Sequence, residues 1–166
     1  MKFVVSLTLA LFFCVVMVAN PVAEAKHYSS PVAGYTVSAV RGNIVAEILA
    51  YVNEYRRKKG LSKLEMNPIM SAEAQTHSEN MATHRTSFGH SGFQGRVKRI
   101  TSKIDGMQAW AENVAMGSTT AKEVVENWLK SPMHRQNIEG PYKLTGIGVA
   151  ADRKGNLYFT QIFGSN

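Results

Sequence analysis

The chain has 166 residues, 45% of them hydrophobic and 19% charged, with a formal net charge of +7 at pH 7. A single cysteine, Cys14, excludes an intrachain disulfide framework. The basic balance favours anionic surfaces, but Arg56-Arg57-Lys58-Lys59 is the one tight basic cluster. It falls in the last turn of an expected helix, where cations complement the dipole, so no dedicated nucleic-acid element is present.

Residues 1–25 read as a secretory signal peptide. Lys2 is a small basic region, Phe3 to Ala19 is apolar almost throughout, and Ala23-Glu24-Ala25 is a small-residue cleavage site. A membrane anchor is the competing reading, since the apolar run is about long enough to span a bilayer. Asn20-Pro21 before the cleavage site favours removal, so the chain is not read as an integral membrane protein. The mature protein would be secreted and extracellular, cysteine-free, and still at +7, because cleavage removes one lysine and one glutamate. Residues 26–37 carry no periodicity and read as a tail.

The domain proper is assigned to residues 38–166. Ile44, Ile48, Val52 and Tyr55 mark a first helix ending near Lys59, with Gly60 as its stop. Asn67-Pro68 starts a second helix, a cap residue followed by the proline favoured at the first turn. His77 and His84 share a face of it, and border a core more readily than they chelate a metal. A short helix is predicted over 94–101, an extended segment over 110–116, and a third helix over 121–130 with Val124, Val125, Trp128 and Leu129 buried. Pro132 ends that helix and a turn carries 133–138.

Residues 146–151 and 157–163 form a hairpin whose strands are apolar on both faces, as in a sheet covered on both sides. Two motif matches fail on context. Gly89-His90-Ser91-Gly92 lacks the final glycine of a nucleophile elbow. Gly146-Ile-Gly148 lies within a strand, with no helix after it to receive a dinucleotide. Helices early and strands late give an α+β class, a three-layer α-β-α sandwich.

Five strings carry a family resemblance: Phe88-Gly-His90-Ser91, Ala111-Glu112-Asn113-Val114-Ala115, Val125 to Ile138 with Ser131-Pro132-Met133-His134-Arg135, Gly146 to Val149, and Phe159-Thr160-Gln161. In this order, with Asn53-Glu54-Tyr55-Arg56 ahead of them, they resemble the CAP superfamily, or SCP domain, in its short cysteine-free branch. The resemblance implies the α-β-α fold.

It also implies a cleft. Members with a metal site use two histidines and two glutamates. By motif, His90 matches the first histidine and Glu112 the first glutamate, whereas the second histidine falls at Tyr158 and the second glutamate has no counterpart. His134 stands in the branch's Ser-Pro-x-His-Arg string instead. The cleft residues are therefore His90, Glu112, His134 and Tyr158. His90, Glu112 and His134 could hold a divalent metal such as zinc, or form a hydrogen-bonded structural group in which Glu112 accepts from the histidines. The leading functional reading is a secreted binding module, not an enzyme, for a lipid, sterol, glycan or protein ligand. Its alternatives are a metal-dependent hydrolase using His90, Glu112 and His134, and a cationic envelope-active defence protein.

Overall fold

The computed structural model describes residues 37–165, with side chains from residue 43 onward. The expected signal peptide, Cys14 and all but the last residue of the expected tail lie outside the described residues. In chain order the elements are α1 (Val37–Lys58), β1 (Glu65–Met66), α2 (Pro68–Ala82), α3 (Phe93–Thr101), β2 (Ala109–Met116), α4 (Ala121–Lys130), α5 (Pro132–Glu139), β3 (Leu144–Ala151) and β4 (Leu157–Ser165). Among the described residues no helix is long and apolar enough to cross a membrane.

One four-stranded sheet, in the order β1-β3-β4-β2, forms the middle layer. β1 is parallel to β3, while β3–β4 and β4–β2 are antiparallel. On one face Ile48, Val52, Val124, Val125, Trp128 and Ile138 from α1, α4 and α5 pack against Ile147, Val149, Phe159 and Phe163. On the other, Met70 and Ala74 of α2, Ile100 of α3 and Ile162 of β4 form a second cluster. This is the α-β-α sandwich, and the two apolar faces of β3 and β4 are what require a helical layer on each side.

Asn67 caps α2 with its side-chain oxygen, which accepts from the backbone N–H groups of Ile69 and Met70 at 3.0 and 3.1 Å. The backbone of α2 then runs directly over β3. A Cβ at Gly148 would lie 2.3 Å from the Gln75 backbone nitrogen, and one at Gly146 would lie 2.1 Å from the Met70 carbonyl carbon. The Gly146-x-Gly148 pair thus serves close helix–sheet approach.

The turn expected over 133–138 is a helix. Pro132 terminates α4 and also occupies the first turn of α5, where its missing N–H is no loss. β1, two residues long, has no signal in the sequence. It is recruited by pairing with β3, and side-chain bonds between Asn53 and the Leu64 backbone support the chain leading into it.

Among the described residues no strand pairs with the outer edge of β2, and side chains from beyond the sheet cover it. Three carbonyls two residues apart point that way. Trp110 accepts from the Tyr142 hydroxyl at 3.5 Å, Glu112 from Asn137 Nδ2 at 3.3 Å, and Val114 from the Trp128 indole N–H at 3.4 Å. These bonds are long, but they occupy groups that would otherwise invite another strand. They also seat α5 and the end of α4 beside Glu112.

Candidate functional site

Glu112 lies in the middle of β2 with its side chain 2% exposed. A carboxylate there must find donors, and the structure supplies two. Arg96, on the inner face of α3 one turn before buried Ile100, is itself 5% exposed at the side chain. It forms a two-point fork on Glu112, with Nε donating to Oε2 at 2.9 Å and Nη2 to Oε1 at 2.7 Å. His90 Nδ1 lies 3.0 Å from the same Oε1. A carboxylate accepts, so Nδ1 carries the hydrogen and a neutral His90 ring presents a bare Nε2. That ring is 53% exposed, so the ion-pair part of its contact with Glu112 is screened by water.

The loop bearing His90 is fixed on both flanks. Buried His77 of α2 donates from Nε2 to the Gly89 carbonyl at 2.8 Å, and Arg96 Nη1 donates to the Ser91 carbonyl at 2.8 Å. Burial pushes the His77 imidazolium below its ordinary pKa, which its bond to the Gly89 carbonyl only partly opposes. The Arg96 guanidinium also stands 5.9 Å from the centre of the Phe93 ring. His90 is therefore held by its side chain and by both neighbouring carbonyls.

His134, at the start of α5, comes round the outer edge of β2. Its backbone carbonyl accepts from Asn113 Nδ2 at 3.0 Å, and Asn137 Nδ2 donates to Asn113 Oδ1 at 2.8 Å. Its half-buried ring does not bond Glu112, and no hydrogen bond to the ring is formed among the described residues. Burial lowers the pKa of His134, and the nearby charge of His90 lowers it further. The structure thus brings His90, Glu112 and His134 to one edge. Tyr158 is elsewhere. It pairs across the sheet with Met116, four residues along β2 from Glu112, or about 13 Å at strand rise. There it packs with Met81, Ala82, Val114 and Ala150, and lines a hollow of about 660 Å³ with His84, Met116 and Arg153.

The sequence marks Arg96, Asn113 and Asn137 as no part of the cleft, and His77 only as a residue bordering the core. Arg96 had a signal, because it sits four residues before Ile100 on the stripe that an amphipathic helix buries. Asn113 and Asn137 lay inside the family strings, but nothing in them said that one would bond the other.

The donor set does not fit a resident metal. Both Glu112 oxygens accept from Arg96, and a cation placed against them would meet the guanidinium charge. Among the described residues no group of three or more His, Cys, Asp or Glu is arranged to hold a metal ion.

Comparison with known proteins agrees with the fold and the motif order. Residues 49–163 match the family model described as CAP, cysteine-rich secretory protein family. The uncharacterized protein YkwD of Bacillus subtilis (strain 168) is 30% identical over 125 residues, covering 71% of this chain and 46% of that protein. The uncharacterized membrane protein YlbC of the same strain is 35% identical over 119 residues, covering 70% of this chain and 33% of that protein. This chain therefore spans less than half the length of either curated relative. Among solved structures, an extracellular SCP-domain protein of Bacillus anthracis superposes with a TM-score of 0.67 at 23% identity, covering 83% of this chain and 45% of that one. An outer surface protein of Borrelia burgdorferi superposes with a TM-score of 0.63 at 22% identity, covering 75% of this chain and 93% of that one. Buried Glu112, the His90 loop, helix α5 and the three-layer sandwich are thus the parts of one domain, and the chain belongs to the CAP family of cysteine-rich secretory proteins.

Proposed function

We propose that this chain is a secreted binding module, taking an extracellular lipid, sterol, glycan or protein ligand at the edge of β2 beside which His90 and His134 lie, and that it is not a metal-dependent hydrolase. One observation carries the reading. The acid of the site is spent inside the protein, while the histidine beside it is fixed and still has a free ring nitrogen. Glu112 already accepts three hydrogen bonds from Arg96 and His90 and faces a fixed guanidinium charge, which makes it a poor base and a poor anchor for a metal. His90 Nε2 and the His134 ring keep their hydrogen-bonding capacity, and polar groups so placed orient a ligand. Extracellular and outer-surface proteins occur among the structural neighbours, in keeping with residues 1–25 acting as a secretion signal. The +7 charge supplies a second, non-specific attraction to anionic surfaces.

The test is a titration of the mature protein with a fatty acid, a sterol and an oligosaccharide, followed by backbone and imidazole NMR shifts. Ester and peptide hydrolysis is assayed in parallel, with and without zinc. Shifts centred on His90 and His134 with no zinc-dependent turnover support the reading. Zinc-dependent hydrolysis that disappears in His90→Ala would overturn it in favour of the hydrolase.

A further inference from the structure

The fork between Arg96 and Glu112 asks why a buried guanidinium stands where the family's metal-binding members gather ligands. Two donors bound tetrahedrally to one zinc at about 2.0–2.2 Å stand roughly 3.3–3.6 Å apart. His90 Nδ1 and Glu112 Oε1 are 3.0 Å apart, a hydrogen bond a few tenths of an ångström short of that spacing. No ion is needed to hold them. Arg96 Nη2 is 2.7 Å from that same oxygen and Nε is 2.9 Å from the other. The guanidinium brings the charge a cation would bring, and it is covalently attached.

We infer that Arg96 is a built-in counter-cation that takes the place of a divalent metal in this chain: it neutralises Glu112, holds the His90 loop in position and closes the site to metal ions. Three features support this. The arginine is buried with its carboxylate, so the pair is not a solvated surface contact. Its third donor, Nη1, is used on the Ser91 carbonyl, so the group that neutralises the acid also fixes the backbone next to His90. The family's remaining ligand positions are vacated, with Tyr158 away from the site and no second glutamate completing a metal-binding group among the described residues. Arg96 is a positioning residue here, acting through Glu112 and the loop. Its role rests on the proposed function only in placing ligand contact at His90, and the exclusion of metal stands as a separate claim.

The experiment is a zinc titration, by calorimetry and by thermal shift, of the mature wild type, Arg96→Ala and Arg96→Ala/His90→Ala, with methylguanidinium as competitor. The wild type is expected to show neither heat nor shift. Arg96→Ala should bind one zinc, giving a heat and an upward thermal shift that the wild type lacks. Methylguanidinium should compete with zinc in Arg96→Ala, and the added His90→Ala should abolish the gain. Arg96→Met, which fills the space without the charge, replaces Arg96→Ala if the smaller variant does not fold. Zinc binding by the wild type as tight as by the variants would overturn the inference, because Arg96 would then be no obstacle. Folded Arg96 variants that ignore zinc would overturn it equally, because the guanidinium would not be holding a cation's place. Neither result bears on the organic-ligand titration, so the two claims fail separately.

Discussion

Glu112→Gln is the most informative single perturbation of this domain. The side chain keeps its shape and one carbonyl oxygen but loses its charge, and it turns an N–H₂ toward donors that need an acceptor. Arg96, 5% exposed at the side chain, is then left as a buried cation without a counter-charge. Removing one member of a buried ion pair costs about 3–5 kcal/mol. That exceeds the roughly 1–3 kcal/mol for leaving a neutral donor unpaired, and Arg96 is the reason for choosing the larger figure. For a domain of this size each kcal/mol is worth about 4 °C, so the melting temperature should fall by about 12–20 °C. Urea denaturation followed by far-UV circular dichroism measures the free energy directly. The double variant Arg96→Met/Glu112→Leu controls for packing, since replacing both charges with apolar groups of similar volume should recover much of the loss. A cost for Glu112→Gln below about 1 kcal/mol, or a double variant whose cost is the sum of the single ones, would refute the reasoning.

Stability should also fall with acid before the carboxylates titrate. The folded-state pKa of His77 is depressed below its ordinary 6.5, chiefly by burial, and that of His134 is depressed in the same direction. Between 6.5 and the lower folded value the unfolded chain binds more protons. The stability from keeping these rings neutral is therefore present above about pH 6.5 and lost as pH drops below it, by up to about 1.4 kcal/mol per unit for one group. Denaturation midpoints in series from about pH 7.5 to about pH 5 measure this, and His77→Gln should flatten the curve; an unchanged curve would count against His77. Adsorption to anionic vesicles should weaken steeply as salt rises and the Debye length shrinks from about 10 Å at 0.1 M to about 3 Å at 1 M, whereas salt-insensitive binding would point to an apolar site. The secreted form should begin at or near Lys26 by N-terminal sequencing, and a mature product retaining Met1 would contradict cleavage.

Much of this architecture is legible in the sequence because local chemistry and global packing agree. Asn67-Pro68 starts α2, the Val124, Val125 and Trp128 stripe buries α4, and two strands apolar on both faces demand two covering layers. Legibility fails where a residue does two things at once or acts only through tertiary contact. Pro132 was a stop signal for α4, and its equal fitness for the first turn of α5 left no separate mark. At the site, the family strings point to His90 as one partner of Glu112. The stronger partner was not foreseen, because an arginine among Gln94, Lys98 and Arg99 reads as part of a solvated face. Only its spacing from Ile100 says otherwise. Tyr158 is the reverse case. Motif order alone placed it at the cleft, and the β2–β4 register carries it along the strand to another cluster.

The most direct test of a metal-free binding site is the zinc, manganese and iron content of the secreted protein, purified from metal-replete medium without chelators, alongside His90→Ala. The expected result is a content far below one ion per chain in both proteins. A content near one ion per chain in the wild type, lost in His90→Ala, would contradict it.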